Sequence, residues 1–168
     1  GNIRATNHMF ERAVSSYTGN LADIKKELAE GHFFRAYNYF YLLKFFGGVP
    51  VVTKVLDVTS PELYGKRNSR YEVVDLILSD LDEAIAGLPL EQNITSADKG
   101  KISKQAAQAF KARVLLYEAT WRKYDGTSTD FEGSAGPASD QVNTFLEESV
   151  QLSEIVMGDA AYSLWNYN

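Results

Sequence analysis

Cysteine is absent from all 168 residues. That excludes disulfides, thiolate zinc sites and a thiol nucleophile within this chain. Histidine is almost as scarce, with only His8 and His32. Neither has an acidic residue four positions away on its helix to orient it, and no serine sits in a Gly-x-Ser-x-Gly elbow, so a charge-relay triad is not expected. Positive charge is also in short supply: 17 Lys and Arg face 22 Asp and Glu, a net charge of -5. A nucleic-acid partner would need a concentrated basic surface. The one short basic run, Lys99, Lys101 and Lys104, reads as a solvated loop and helix start. No apolar run approaches the ~20 residues that span a bilayer. The Gly1-Asn2-Ile3 start has neither an initiator methionine nor the form of a signal peptide.

What the chain does contain is apolar and aromatic weight, 45% and 12% of its residues. That is enough for one buried core, so a single domain or part of one is expected. Helical periodicity dominates, and five helices are expected at about 3–15, 23–46, 71–88, 103–122 and 140–157. Ile3, Asn7, Phe10 and Val14 share one stripe of the first. The second packs Phe33, Phe34, Tyr37, Tyr39, Phe40, Tyr41, Phe45 and Phe46 into a few turns, with rings pointing in nearly every direction; such a helix must be covered on more than one side. Gly47-Gly48-Val49-Pro50 ends it.

The third helix has the cleanest pattern, Val74, Ile77, Leu81, Ala84 and Leu88, opened by a Ser69-x-x-Glu72 capping box and stopped by Pro89. The fourth places Ala107, Phe110, Val114, Tyr117 and Trp121 on one stripe, with Ala106 and Ala109 beside it to admit a neighbouring helix. The fifth carries Val142, Phe145, Ser149, Leu152 and Val156, with Gly158 as its C′ residue. Strand signals are weak; Val49 to Val52 and Tyr162 to Trp165 are short extended candidates. The fold class is therefore all-α, a stack of antiparallel helical hairpins of tetratricopeptide type, with irregular spacing and long loops at 53–68 and 125–140.

Four ordered blocks carry a family resemblance: Arg35-Ala36-Tyr37, Phe45-Phe46-Gly47-Gly48-Val49-Pro50, Arg67-Asn68-Ser69 with Asp80-Leu81 and Ala84, and Gly100-Lys101-Ile102-Ser103-Lys104-Gln105-Ala106-Ala107. Together they resemble the SusD/RagB family of surface-exposed, glycan-binding outer-membrane lipoproteins. The likeness extends from Ile3-Arg4-Ala5-Thr6-Asn7, similar to that family's early Arg-x-x-Asn helix, to Tyr162-Ser163-Leu164. Family members are far longer, so residues 1–168 are expected to be an interior part of a single SusD-like helical domain, truncated at both ends.

The resemblance implies degenerate tetratricopeptide-like pairs decorated by long loops. It also implies an oligosaccharide or other nutrient as ligand, captured without bond cleavage, and a TonB-dependent, SusC-like transporter as partner. Placement at the extracellular face of the outer membrane would follow, through a lipid anchor on a segment this chain lacks.

No enzymatic constellation is expected. Asp80, Asp82 and Glu83, like Glu147 and Glu148, are neighbours that diverge by ~100° each on a helix, so they read as solvated faces and not as a glycosidase pair. Asp125 to Asp130 starts like an EF-hand, but Asp130 stands where the turn glycine belongs and Gly136 where the glutamate belongs, so no metal or cofactor is expected. Arg35 and Arg67 read as structural clamps.

Sugar recognition uses flat aromatic faces with planar hydrogen-bonding groups nearby. Trp121-Arg122-Lys123-Tyr124-Asp125 and Trp165-Asn166-Tyr167-Asn168 have that mixture, making Trp121, Tyr124, Trp165 and Tyr167 the candidate ligand contacts. Ordinary helix-end packing is the alternative for each. The competing function is a tetratricopeptide-like adaptor holding a partner's peptide, which would line its groove with Asn, Lys and Arg instead of aromatic side chains.

Overall fold

A computed structural model describes residues 1–127, 136–137 and 139–163. Five α-helices appear in the expected places: α1 Asn2–Ser15, α2 Lys25–Phe46, α3 Arg70–Gly87, α4 Lys104–Asp125 and α5 Val142–Met157. Short 3₁₀ turns fill parts of the connections, and no strand occurs among the described residues.

The helix ends follow local chemistry. The backbone N–H of Ser69 donates to Glu72 Oε2 at 2.7 Å and that of Glu72 to Ser69 Oγ at 3.3 Å, so the capping box satisfies two donors that the start of α3 leaves open. At the other end of α2, Gly47 takes φ 66, a conformation open to glycine at little cost. Two expectations need correction. Helix α4 runs a turn beyond Arg122, because nothing breaks it before Gly126 at φ 85, and this brings Tyr124 into the helix. Gly158 is a right-handed cap at φ -82 and not a left-handed C′ residue, the last turn of α5 being closed by backbone bonds to Glu154 and Val156.

Helices α2 and α3 pack as one hairpin and α4 and α5 as a second, with α1 across α2 and the α3–α4 contact joining the pairs. Phe40, Leu43, Ile77 and Leu81 lie at the centre, each at most 2% exposed. The α2–α3 crossing is close enough that a Cβ on Gly87 would sit 2.6 Å from the Ala29 Cβ. Small side chains admit α4 in the same way, but they are Ala107, Ala112 and Ala119; Ala109 is exposed and Ala106 half-buried, the core-facing stripe lying further round the helix than expected. On α1, Ala13 is buried in place of Val14, which is 79% exposed.

Val49 to Val52 form no strand because side chains, and not a neighbouring strand, satisfy the backbone. Val51 N–H donates to Asn68 Oδ1 at 2.8 Å and Val52 N–H to the Tyr39 hydroxyl at 2.7 Å. From α1, Asn7 Nδ2 reaches the carbonyls of Val52 and Lys54 at 2.9 and 3.1 Å, and Arg4 Nη1 reaches that of Leu56 at 2.7 Å. The Arg4-x-x-Asn7 spacing places both side chains on one face, where they hold the α2–α3 loop against the bundle.

Candidate functional site

Three clusters of chemistry-bearing side chains stand out. The first joins α1, α2 and α3. Asp80 is buried and bidentate to Arg35, whose Nε and Nη2 each lie 2.7 Å from a carboxylate oxygen, while Arg35 Nη1 donates to Asn7 Oδ1 at 3.1 Å. His32 Nδ1 lies 2.7 Å from Asp80 Oδ1, with its ring against Phe10 at 4.5 Å. Arg35 is thus the structural clamp its sequence context implied. One other reading is overturned, since Asp80 is no solvated carboxylate; and His32, which has no acid four residues away on its own helix, gains one from a different helix 48 residues along the chain. A histidine held by an aspartate has the form of a catalytic pair, yet among the described residues no hydroxyl hydrogen-bonds to that ring to serve as nucleophile. The cluster fastens three helices together.

Burial by itself would raise the Asp80 carboxyl. The hydrogen bonds from Arg35 and then His32, together with their charges, outweigh it and hold the group below the usual carboxylate range. A depressed folded pKa contributes stability that is present above the unfolded value of about 3.9 and is lost as pH falls from there through the folded pKa. Wild type should therefore exceed Asp80→Asn in stability at neutral pH, with the gap closing below about pH 4. Urea unfolding followed by circular dichroism across that range measures it; a gap that stays constant would show that the Asp80 charge is not involved.

The second cluster is a charge triad. Glu118 is fully buried; its Oε2 accepts from Arg70 Nε and Nη2 at 3.0 and 2.7 Å, and its Oε1 accepts from Arg122 Nε at 2.8 Å. Arg122 Nη1 continues to Gln141 Oε1 at 2.9 Å and the Asp140 carbonyl at 3.1 Å, tying the start of α5 to α4. The buried arginine at the N-terminus of α3 is consequently Arg70; Arg67, expected in that role, lies exposed. A lesser link joins Asp82 and Glu148 through Lys111, whose Nζ lies 2.6 Å from each, so these acids flank a lysine instead of a substrate.

The third cluster is a groove of about 560 Å³ between the C-terminal halves of α2 and α4. Trp121 and Tyr124 both line it, with Lys44, Arg113 and Asp125 as its charged groups. Trp121 remains 39% exposed and Tyr124 80%. The Arg70 guanidinium lies 4.2 Å from the Trp121 ring centroid, and Tyr117 stacks beside that ring at 6.5 Å and 29°. Because Glu118 fixes Arg70, the indole is held in place while still reaching solvent, an arrangement suited to a flat recognition surface. The structure thus brings Trp121 and Tyr124 together in one groove and adds Lys44 and Arg113, which sequence spacing did not single out. Trp165 and Tyr167 lie outside the described residues, as does most of the 125–136 stretch. Among the described residues no group of three potential ligands could hold a metal ion, and no helix is long and apolar enough to cross a membrane.

Comparison with known proteins follows the same lines. The SusD-like family model, described as starch-binding and associating with the outer membrane, matches residues 2–116. A SusD-like protein of Formosa agariphila is 38% identical over 91 residues, which cover 54% of this chain and 17% of that protein. A solved SusD-like protein from Bacteroides fragilis is 35% identical with a TM-score of 0.62, covering 71% of this chain and 23% of its own. A SusD-like carbohydrate-binding protein from the same species is 28% identical, also with a TM-score of 0.62, covering 74% and 23%. The chain therefore spans less than a quarter of the length of these relatives.

Proposed function

Because the chain belongs to the SusD-like family of starch-binding proteins that associate with the outer membrane, we propose that it is part of a cell-surface protein that captures an oligosaccharide or related nutrient without cleaving it. Residues 1–168 form part of one larger helical domain. The protein passes its ligand to a TonB-dependent, SusC-like transporter and is held at the extracellular face of the outer membrane by a lipid anchor outside these residues. The observation that carries this reading is the family match over residues 2–116, joined to a carbohydrate-binding relative of the same helical arrangement. Its clusters of acid, base and histidine are consumed in structural ion pairs, which supports binding without chemistry.

Within these helices, Trp121 and Tyr124 are the proposed sugar contacts, with Arg113 and Asp125 available to bond hydroxyls. Calorimetry on the full-length protein should show saturable binding of at least one starch-type or β-glucan oligosaccharide, and chromatography should recover that sugar intact. Shortened products would refute the binding-only reading. Trp121→Ala should weaken binding about two- to tenfold, matching the ~0.5–1.5 kcal/mol of an aromatic contact. Unchanged affinity with a lower melting temperature would assign Trp121 to packing.

The peptide-adaptor reading is less well supported. On the α2–α4 side, Lys44 and Arg113 stand among Tyr41, Leu116, Trp121 and Tyr124 and do not form the row of Asn, Lys and Arg that a peptide groove would need.

A further inference from the structure

From Phe33 to Phe46 helix α2 carries aromatic side chains on more than one side, the pattern of a helix covered on more than one side. One half of it is indeed buried: Ala29, Phe33, Ala36, Phe40 and Leu43 face the other helices. At 100° per residue, Phe34, Tyr37, Tyr41 and Phe45 fall within about 80° of one another, on the side turned away from Ala36 and Leu43. These four are 46%, 37%, 42% and 73% exposed. They make a strip about 16 Å long, and Lys44, over the Tyr41 ring, links it to the groove that exposed Leu116 lines.

The strip offers little to a polar ligand. Phe34, Phe45 and Leu116 have no hydrogen-bonding atoms, and the Tyr37 hydroxyl donates to that of Tyr41 at 3.2 Å. Asn38, within the strip, donates to the Phe34 carbonyl at 2.6 Å. The nearest cations are Arg113 and Lys44, the latter lying 4.1 Å over the Tyr41 ring, too few to seat an anionic lipid surface. An apolar, locally satisfied strip of this length calls for an apolar partner.

We infer that the α2 strip of Phe34, Tyr37, Tyr41 and Phe45 is a docking surface for an apolar segment of the same polypeptide lying outside residues 1–168. The occupant is chosen by length: the matched parts of this chain make up only 17–23% of the homologous chains, so most of each of those proteins lies beyond these helices. That inference goes beyond glycan binding and does not need it. The docked segment would also border the Trp121 groove, and ligand sites favour such boundaries.

Nitration of the full-length monomer with tetranitromethane, read by mass spectrometry, tests this. Tyr37 and Tyr41 should lose most of the reactivity they show in the urea-unfolded protein, whereas in residues 1–168 both are over a third exposed. Phe34→Ser and Phe45→Ser should each lower the melting temperature of the full-length protein, while Val58→Ser, at a site 85% exposed, should not. Full reactivity at Tyr37 and Tyr41 together with wild-type melting of both Phe variants would overturn the inference. So would protection that appears only at high protein concentration, which would make the partner a second copy, or only on adding the transporter. Oligosaccharide binding is measured separately on the unsubstituted, unmodified protein, so a failed docking surface and a failed glycan reading are told apart.

Discussion

Glu118→Gln is expected to destabilise the folded protein by about 3–5 kcal/mol, because it removes the charge that two buried arginines share. Arg70 and Arg122 are each only 3% exposed, and three of their N–H groups donate to the Glu118 carboxylate. The amide retains the shape and one acceptor but takes the Glu118 charge away from two guanidinium groups that are almost wholly shielded from water. Urea denaturation should show a lower midpoint with an unchanged slope, the mark of lost stability and not of an altered denatured state. A loss below about 1 kcal/mol would mean that the site opens to solvent and the triad is screened. Replacing all three residues by apolar ones of similar volume should cost far less than the single change, since the penalty lies in the uncompensated charge.

Phe40→Ala is the second large effect, about 3–5 kcal/mol from lost burial and the cavity left behind. The Phe40 ring is 2% exposed and meets Phe110 and Tyr117 edge-on, at 5.5 and 5.4 Å. With Phe33 and Tyr37, which also meet Phe110, it makes the aromatic joint between α2 and α4, and it forms part of the groove wall beside Trp121. Thermal unfolding should report the loss, and Phe40→Leu, which keeps most of the volume, should recover much of it. A Phe40→Ala variant that melts like wild type would show that α2 and α4 do not depend on this contact.

The helices and their hairpin pairing were legible because each rests on local pattern: apolar spacing, the Ser69–Glu72 cap, glycine and proline at the ends. Most of the polar clusters were not, because, apart from Glu118 and Arg122 four residues apart on α4, their charged partners lie 29 to 48 residues apart and no local period joins them. Part of the signal was nevertheless present. Asp80 sits between Ile77, Leu81 and Ala84 on the apolar stripe of α3, and Lys111, Glu118 and Arg122 interrupt that of α4. A charged residue inside a core-facing stripe must be paired, so those positions marked the two networks even without naming the partners. The same local reading took Arg67 for Arg70, three residues away on the other side of a cap. For the site, it selected Trp121 and Tyr124 by composition at a helix end; the groove that unites them depends on α2 lying alongside α4, which only the packing reveals.

The charge triad also bears on which alignments the bundle can adopt. Between its polar and aromatic contacts, helix α4 meets its neighbours through aliphatic side chains such as Ala107, Val114, Leu115 and Ala119. Surfaces of that kind tolerate sliding, and a shift by one turn, about 5.4 Å, would still set methyl groups against methyl groups. It would also carry Glu118, together with Arg122 of its own helix, past the reach of Arg70 and break the triad. Every slipped arrangement of α3 against α4 is thereby penalised, whereas the native one is not. The triad acts as an alignment pin that favours one helix register over its slipped neighbours.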